Sequence, residues 1–310
     1  MINKDSLPPA VRSRLVYARD LARTVADSAS DTVRFIRYGK CSNGVALDSG
    51  DPGVIGYQVL KDTHRVEKAL ALPAPKQPFG SDLVPRLAKG VGRLSDAPTW
   101  ARHDAASGQD ALTSWNAGGE LADDVTHLPE AAGASGELLE LLRSRSSVRN
   151  FDPQRPVDES IVDEAVAAAG GAPSVCNRQP WRVQFFSTRE DIDRVLRHQN
   201  GNRGFGHTVP LLAVVAVDLR AFGGAGERNQ AWVDGGIFLD ELMLAFHCLG
   251  VSSCALNLSI RSGESRALRE EIGADEGLEF ISMAAFGYPA EGARHTRSTN
   301  RPVEELRNIR

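Results

Sequence analysis

The sequence predicts an α+β fold, with helices packed around a small sheet and a mainly helical extension ahead of it. Three observations carry this. From residue 137 onward, amphipathic helical runs alternate with short β-branched runs. No glycine-rich phosphate turn follows the first of those strands, which argues against a doubly wound nucleotide fold. The chain also changes character near residue 130, so the division is set at 1–130 and 131–310.

In the first part, "AVRSRLVYARDLARTVADS" and "KDTHRVEKALAL" read as helices, while "NGVALDSGDPGVIG" and "LPAPKQPFGSD" read as loops. Residues 96–136 hold few aliphatics and much Gly, Ala, Ser and Asp, and read as a long surface connection with at most a turn of helix.

In the second part, "ELLELLRSR" is a helix. "VDESIVDEAVAAAGG" is another, with Asp158 as N-cap, Val162, Ala165, Val166 and Ala169 on one face and Gly170 as the stop. "WRVQFFS" alternates as a strand, "TREDIDRVLRHQ" is a capped helix, and "PLLAVVAVD" is a strand buried on both faces. "WVDGGIFLDELMLAFHCLG" is a long helix closed by Gly250. The strand "SSCALN", the helix "ESRALREEIG" and the strand "EFISMAAFG" complete the order.

With 310 residues, 42% of them hydrophobic, the chain builds a sizeable core. Its net charge of -4 supplies no basic field, so no nucleic-acid partner is expected. No apolar run is long enough to span a bilayer and the N-terminus has no signal-peptide core, so a cytoplasmic protein without a membrane partner is expected. Cys41, Cys176, Cys248 and Cys254 form no C-x-x-C pair; they read as free thiols in a reducing compartment, and no metal site is expected.

Two stretches carry candidate chemistry. "RSRSSVRNF" (143–151) places Arg145, Ser147 and Arg149 at the end of a helix. It reads either as an anion clamp, with guanidinium forks and a hydroxyl gripping phosphate, or as a solvated helix end whose cations offset the dipole. "APSVCNRQPW" (172–181) is a loop stiffened by two prolines and bearing Ser174, Asn177 and Gln179. It suits hydrogen bonding to a flat heteroaromatic ligand, or is an ordinary helix-to-strand connection. "FGGAGE" (222–227) lacks the dinucleotide spacing and reads as a flexible loop. His64 and Lys68 read as a solvated helix face, or as a substrate-lining pair.

Taken together, "RSSVRNF" and "APSVCNRQPW" resemble the flavin-dependent nitroreductase family. "DGGIFLDELMLAFHCLGVSSCALN" and "AFGYPAEGARHTRSTNRPVEEL" are similar to that family's core helix, flavin-side strand and closing segment. The resemblance covers about residues 137–310, and the extension places the chain in a branch with an added N-terminal region. It implies helices around a small mixed sheet, with the extension covering the flavin pocket.

It also implies FMN as cofactor and NADPH or NADH as electron donor, in a homodimer with the flavin at its interface. Ping-pong hydride transfer to an electron-poor or unsaturated small-molecule substrate follows. The alternatives are a flavin dehydrogenase or oxidase acting on a biosynthetic intermediate, or a non-catalytic flavin-binding protein. Cofactor-binding positions carried over are Arg145, Ser147 and Arg149 for phosphate and ribityl chain, with Ser146 where the family has a second arginine. Pro173, Ser174, Val175 and Asn177 form the loop that reaches the flavin from the partner. Ala255, Leu256 and Asn257 end the strand beside the ring. Arg301 is the C-terminal arginine, with Arg297 as runner-up. No catalytic acid or nucleophile is implied.

Overall fold

A computed structural model describes residues 8–41, 45–94, 99–120, 136–295 and 300–309. The first part is helical: α1 (Pro9–Tyr38), α2 (Pro52–Leu70), α3 (Leu83–Arg93) and α4 (Thr99–Asn116). The "GDPGVIG" segment, expected in a loop, instead starts α2. The Asp51 carboxylate caps it by accepting from Gly53 N–H at 2.8 Å, and Pro52 fits the first turn, where no amide partner is lost.

The expected surface connection is also corrected. Its residues 99–116 form α4, with Ala101, Ala105 and Leu112 buried; 121–135 lie outside the described residues. This helix packs through small residues rather than aliphatics. At Gly108 an added Cβ would meet the Thr63 methyl of α2 at 2.9 Å, so the two helices approach closely because that side chain is absent.

In the second part, α6 (Glu159–Ala169), α7 (Arg189–Leu196), α8 (Gln230–Cys248) and α9 (Ser262–Glu271) pack around one sheet, while α5 (Gly136–Ser144) and the short α10 (Val303–Leu306) bury no residue. Asp158 stands at the N-cap of α6 as expected, but its side chain makes no capping bond; its backbone carbonyl takes the amides of Ile161 and Val162. The sheet comprises β1 (Trp181–Phe186), β2 (Leu211–Asp218), β3 (Ser252–Asn257) and β4 (Leu278–Gly287) in the order β1-β2-β4-β3. Its three ladders are antiparallel, and the sheet is mixed only through an isolated parallel bridge between Ser147 and Ser253.

All of β2 is buried, as its unbroken apolar run requires. On one face, α6 and α8 cover Ala213, Val215, Ala284 and Phe286; on the other, α7, α9 and Phe151 cover Leu212, Val214, Cys254 and Met283. Helix α8 sits close to the sheet because Gly235 has no Cβ, which would lie 2.5 Å from Ile281. Further along α8, Phe238 stacks on Trp181 with centroids 5.0 Å apart.

The extension shares a core with this body. Residues of α2, α3 and α4 pack with Val217, Leu219, Ala221, Phe222 and Ala231, and Val175 of the second candidate stretch packs against the same cluster.

Candidate functional site

The opening stretch runs from the end of α5 along the outer side of β3. Val148 N–H donates to the Ser253 carbonyl at 3.0 Å, and the Ser144 hydroxyl lies 2.8 Å from His247 Nε2 at the end of α8. This pins Arg145, Ser146, Ser147 and Arg149 beside the first half of β3. Burial raises the Cys254 thiol, while Arg149, a hydrogen bond with the Ser147 hydroxyl and Arg145 oppose that rise. Neither Arg145 nor Arg149 has a hydrogen bond or ion pair with another described residue.

The strand beside them offers donors. Ser253 turns its carbonyl outward to Val148, and in an antiparallel ladder residues two apart point their backbone groups the same way. Ala255 and Asn257 therefore direct their N–H groups away from β4. The Asn257 carbonyl also faces out, accepting from Gln199 Nε2 at 3.0 Å. Leu256 points inward and is buried, whereas Ala255 and Asn257 are exposed. Two arginines without a side-chain partner among the described residues, a hydroxyl and outward amides beside small side chains form a set of donors suited to a phosphorylated planar ligand. The cofactor expected from the sequence fits this set.

The second stretch is built differently. Cys176, Asn177 and Gln179 have φ of 51°, 48° and 48°, left-handed backbone that non-glycine residues rarely adopt. Internal bonds hold it: Ser174 Oγ accepts from Gln179 N–H (3.0 Å), and the Asp234 carboxylate accepts from Val175 N–H (3.3 Å). Arg178, fully buried, donates to both oxygens of Glu227 at 2.8 Å and to the Ala221 carbonyl at 2.5 Å. Burial alone would raise the Glu227 carboxyl, but Arg178 and the Gly223 N–H hold it below the ordinary range. Burial raises Asp234, against the bonds from Gln230 and Val175.

The "FGGAGE" segment is thus a 3-10 turn bonded to this loop rather than a free loop. The motif reading passed over Arg178, Glu227 and Asp234. The signal for Arg178 was its place inside the Asn-x-Gln stretch, and for Asp234 its place before two glycines of α8.

The two stretches do not meet within one chain. Trp181, at the end of the loop, aligns through Val217 with Glu279, whereas Ser147 aligns through Ser253 with Phe286. The four strand spacings from β1 to Ser147 outside β3 and the seven-residue step from 279 to 286 put them roughly 30 Å apart, at opposite corners of the sheet.

The C-terminal segment passes the first corner, where His295 bridges to Val148. Beyond it, Arg301 is exposed and has no bond to another described residue; Arg297 lies outside the described residues. His64 sits 3.4 Å from Glu67 on α2, a half-exposed pair remote in sequence from both stretches. Among the described residues, no group of three or more His, Cys, Asp or Glu is placed to hold a metal, and no helix is long and apolar enough to cross a membrane.

A family model described as "Nitroreductase family" matches residues 142–201, which contain both stretches. A protein of Streptomyces coelicolor with a provisional NADH dehydrogenase/NAD(P)H nitroreductase name is 39% identical over 185 residues, covering 54% of this chain and 87% of that protein. One of the same provisional name from Archaeoglobus fulgidus is 30% identical over 159 residues, covering 50% and 87%. Among solved structures, a provisionally named nitroreductase from Desulfovibrio desulfuricans in complex with FMN shares the fold, with a TM-score of 0.50 and 22% identity, over 57% of this chain and 98% of that one. The chain belongs to the nitroreductase family of oxidoreductases.

Proposed function

We propose that this nitroreductase-family oxidoreductase binds FMN at the first corner of the sheet and passes electrons from NADH or NADPH to an electron-poor or unsaturated small molecule. FMN, when bound, supplies the two-electron hydride chemistry, in a ping-pong cycle in which donor and acceptor use one pocket in turn. Arg145 and Arg149 grip the phosphate as guanidinium forks, and Ser147 adds a neutral donor. The outward N–H groups of Ala255 and Asn257 would supply fixed donors to the ring of a bound flavin, which favour negative charge on it.

Pro173, Ser174, Val175 and Asn177 act on the flavin of a second copy. The roughly 30 Å between the two stretches supports this, because one small ligand cannot touch both within a single chain. The chain is therefore read as a homodimer with two shared sites, and the extension, packed on Val175, as part of the wall around the second half. The observation that carries the reading is the bridge that holds residues 145–149 along the outer edge of β3, beside the outward amides of Ala255 and Asn257.

An absorbance spectrum before and after heat release tests it. Yellow protein releasing about one FMN per chain, bleached anaerobically by NADH or NADPH and recoloured by a nitroaromatic or quinone, is the expected result. Colourless protein that takes up no added FMN would sink the reading. Bound FMN that neither donor reduces would leave a flavin-binding protein without this activity.

A further inference from the structure

Helix α1 has two unlike sides. Toward its own chain, Asp27 accepts from the Ser262 hydroxyl (2.7 Å) and Arg261 Nε (3.1 Å), and Arg34 pairs with Glu279 and donates to the Leu278 carbonyl (2.7 Å). Phe35 and Tyr38 pack against the extension's core. At about 100° per residue, these four lie within a sector of about 100°. Opposite them, within about 80°, run Val11, Leu15, Ala18, Ala22, Val25, Ala29, Val33 and Ile36. Their spacing in steps of four and three is that of a helix seam packed on another helix, with alanines where backbones approach closely.

Among the described residues, none of the same chain packs over this side, though Ala29 and Val33 border the cleft between α1 and α9. The five larger residues of the stripe are 42% to 69% exposed, and the anchored side of α1 faces away from them. Of the 17 large apolar side chains exposed among the described residues, eight are on α1 and three on α5. A patch of that kind on a chain otherwise well covered marks an interaction surface.

Helix α5 has no buried residue, and its Leu139 and Leu142 are each 53% exposed. It leads directly into Arg145, so it borders the surface that must face the loop of a second copy. The charges are opposite: residues 9–26 hold four arginines against one aspartate, whereas α5 holds Glu137 and Glu140 against Arg143.

We propose that α1 is a clasp: its apolar side lies along a second copy of this chain, against that copy's α5, and holds the two halves of the site together. The proposal rests on the shared-site reading above. Helix α1 precedes the segment matched by the family model, so that match does not supply the contact.

The test is sedimentation velocity over a dilution series with the full chain and the variant Leu15→Glu with Val25→Glu, both exposed positions whose change leaves the core intact. The dimer dissociation constant should rise at least tenfold, with far-ultraviolet circular dichroism unchanged. Arg19→Glu with Arg23→Glu should weaken the dimer about as much, and adding Glu137→Arg with Glu140→Arg should restore it to within threefold.

An unchanged dissociation constant in the apolar variant overturns the clasp. Weakening without charge restoration overturns α5 as its seat. Co-sedimentation of wild type with phosphatidylserine vesicles, abolished in the apolar variant while the dimer persists, would make α1 a lipid-surface helix and also overturn it. Because association is read without reference to colour, a clasped dimer that binds no FMN would overturn the flavin reading alone.

Discussion

Two arginine sets, at opposite corners of one sheet, are treated in opposite ways by the fold. Arg178 is fully buried and donates to both carboxylate oxygens of Glu227 and to a backbone carbonyl. Arg145 and Arg149 bear on Cys254 yet have no bond to another described residue. An arginine whose donors are satisfied inside the chain holds structure. One whose donors find no partner among the described residues, beside a row of outward amides, is, on the function proposed above, placed for a ligand. The loop that carries Arg178 keeps three left-handed non-glycine residues, a conformation that costs of order 1 kcal/mol or more at each and persists only where neighbours enforce it.

The sharpest break of this contrast is Arg178→Ala. It strands the Glu227 carboxylate in a partly buried place, and should cost about 3–5 kcal/mol in urea unfolding. A loss below about 1 kcal/mol would show that the pair does not hold the loop. Next, Arg145→Ala and Arg149→Ala should each weaken FMN binding about 10- to 100-fold in a fluorescence titration, as expected for a lost charge-assisted hydrogen bond of about 1.5–3 kcal/mol. Their unfolding midpoints should match wild type; a fall like that of Arg178→Ala would erase the distinction. Ser174→Ala removes the acceptor for Gln179 N–H and should cost about 1 kcal/mol of stability with only mild loss of FMN.

The smallest expected effect concerns carboxylates in the extension. Burial raises Glu67, and nearby Asp104 raises it further, while His64 opposes both. A raised carboxyl favours the fold below its unfolded pKa and loses that contribution as pH rises through the folded value. Glu67→Gln should therefore stabilise the protein by a few tenths of a kcal/mol at pH 7 and by nothing near pH 3, read from paired melting curves. A loss at pH 7 would mean the His64 pair outweighs burial.

Much of the second part was legible because its signals are local. β3 occupies the residues of "SSCALN", and the continuous apolar run at 211–218 became a strand covered on both faces. Helix α4 was not legible, because periodicity methods look for aliphatics and its buried side is mainly alanine, packed closely through Gly108. Arg178 escaped for another reason. Its partner Glu227 is 49 residues away, and no spacing rule links them. The separation of the two stretches was implied only by the family resemblance, since it follows from strand order and not from either motif.

The outward amides of β3 carry one more consequence. An edge strand with open donors and acceptors is a template for other strands, and natural proteins blunt such edges with lysine, proline or a covering segment. Ser252–Asn257 contains neither lysine nor proline, and beyond Ser253 its outer row faces away from the sheet. Whatever seats itself there also shields a sticky border. Protein made in cells starved of riboflavin should accumulate in the insoluble fraction, and adding the vitamin during expression should return it to the supernatant.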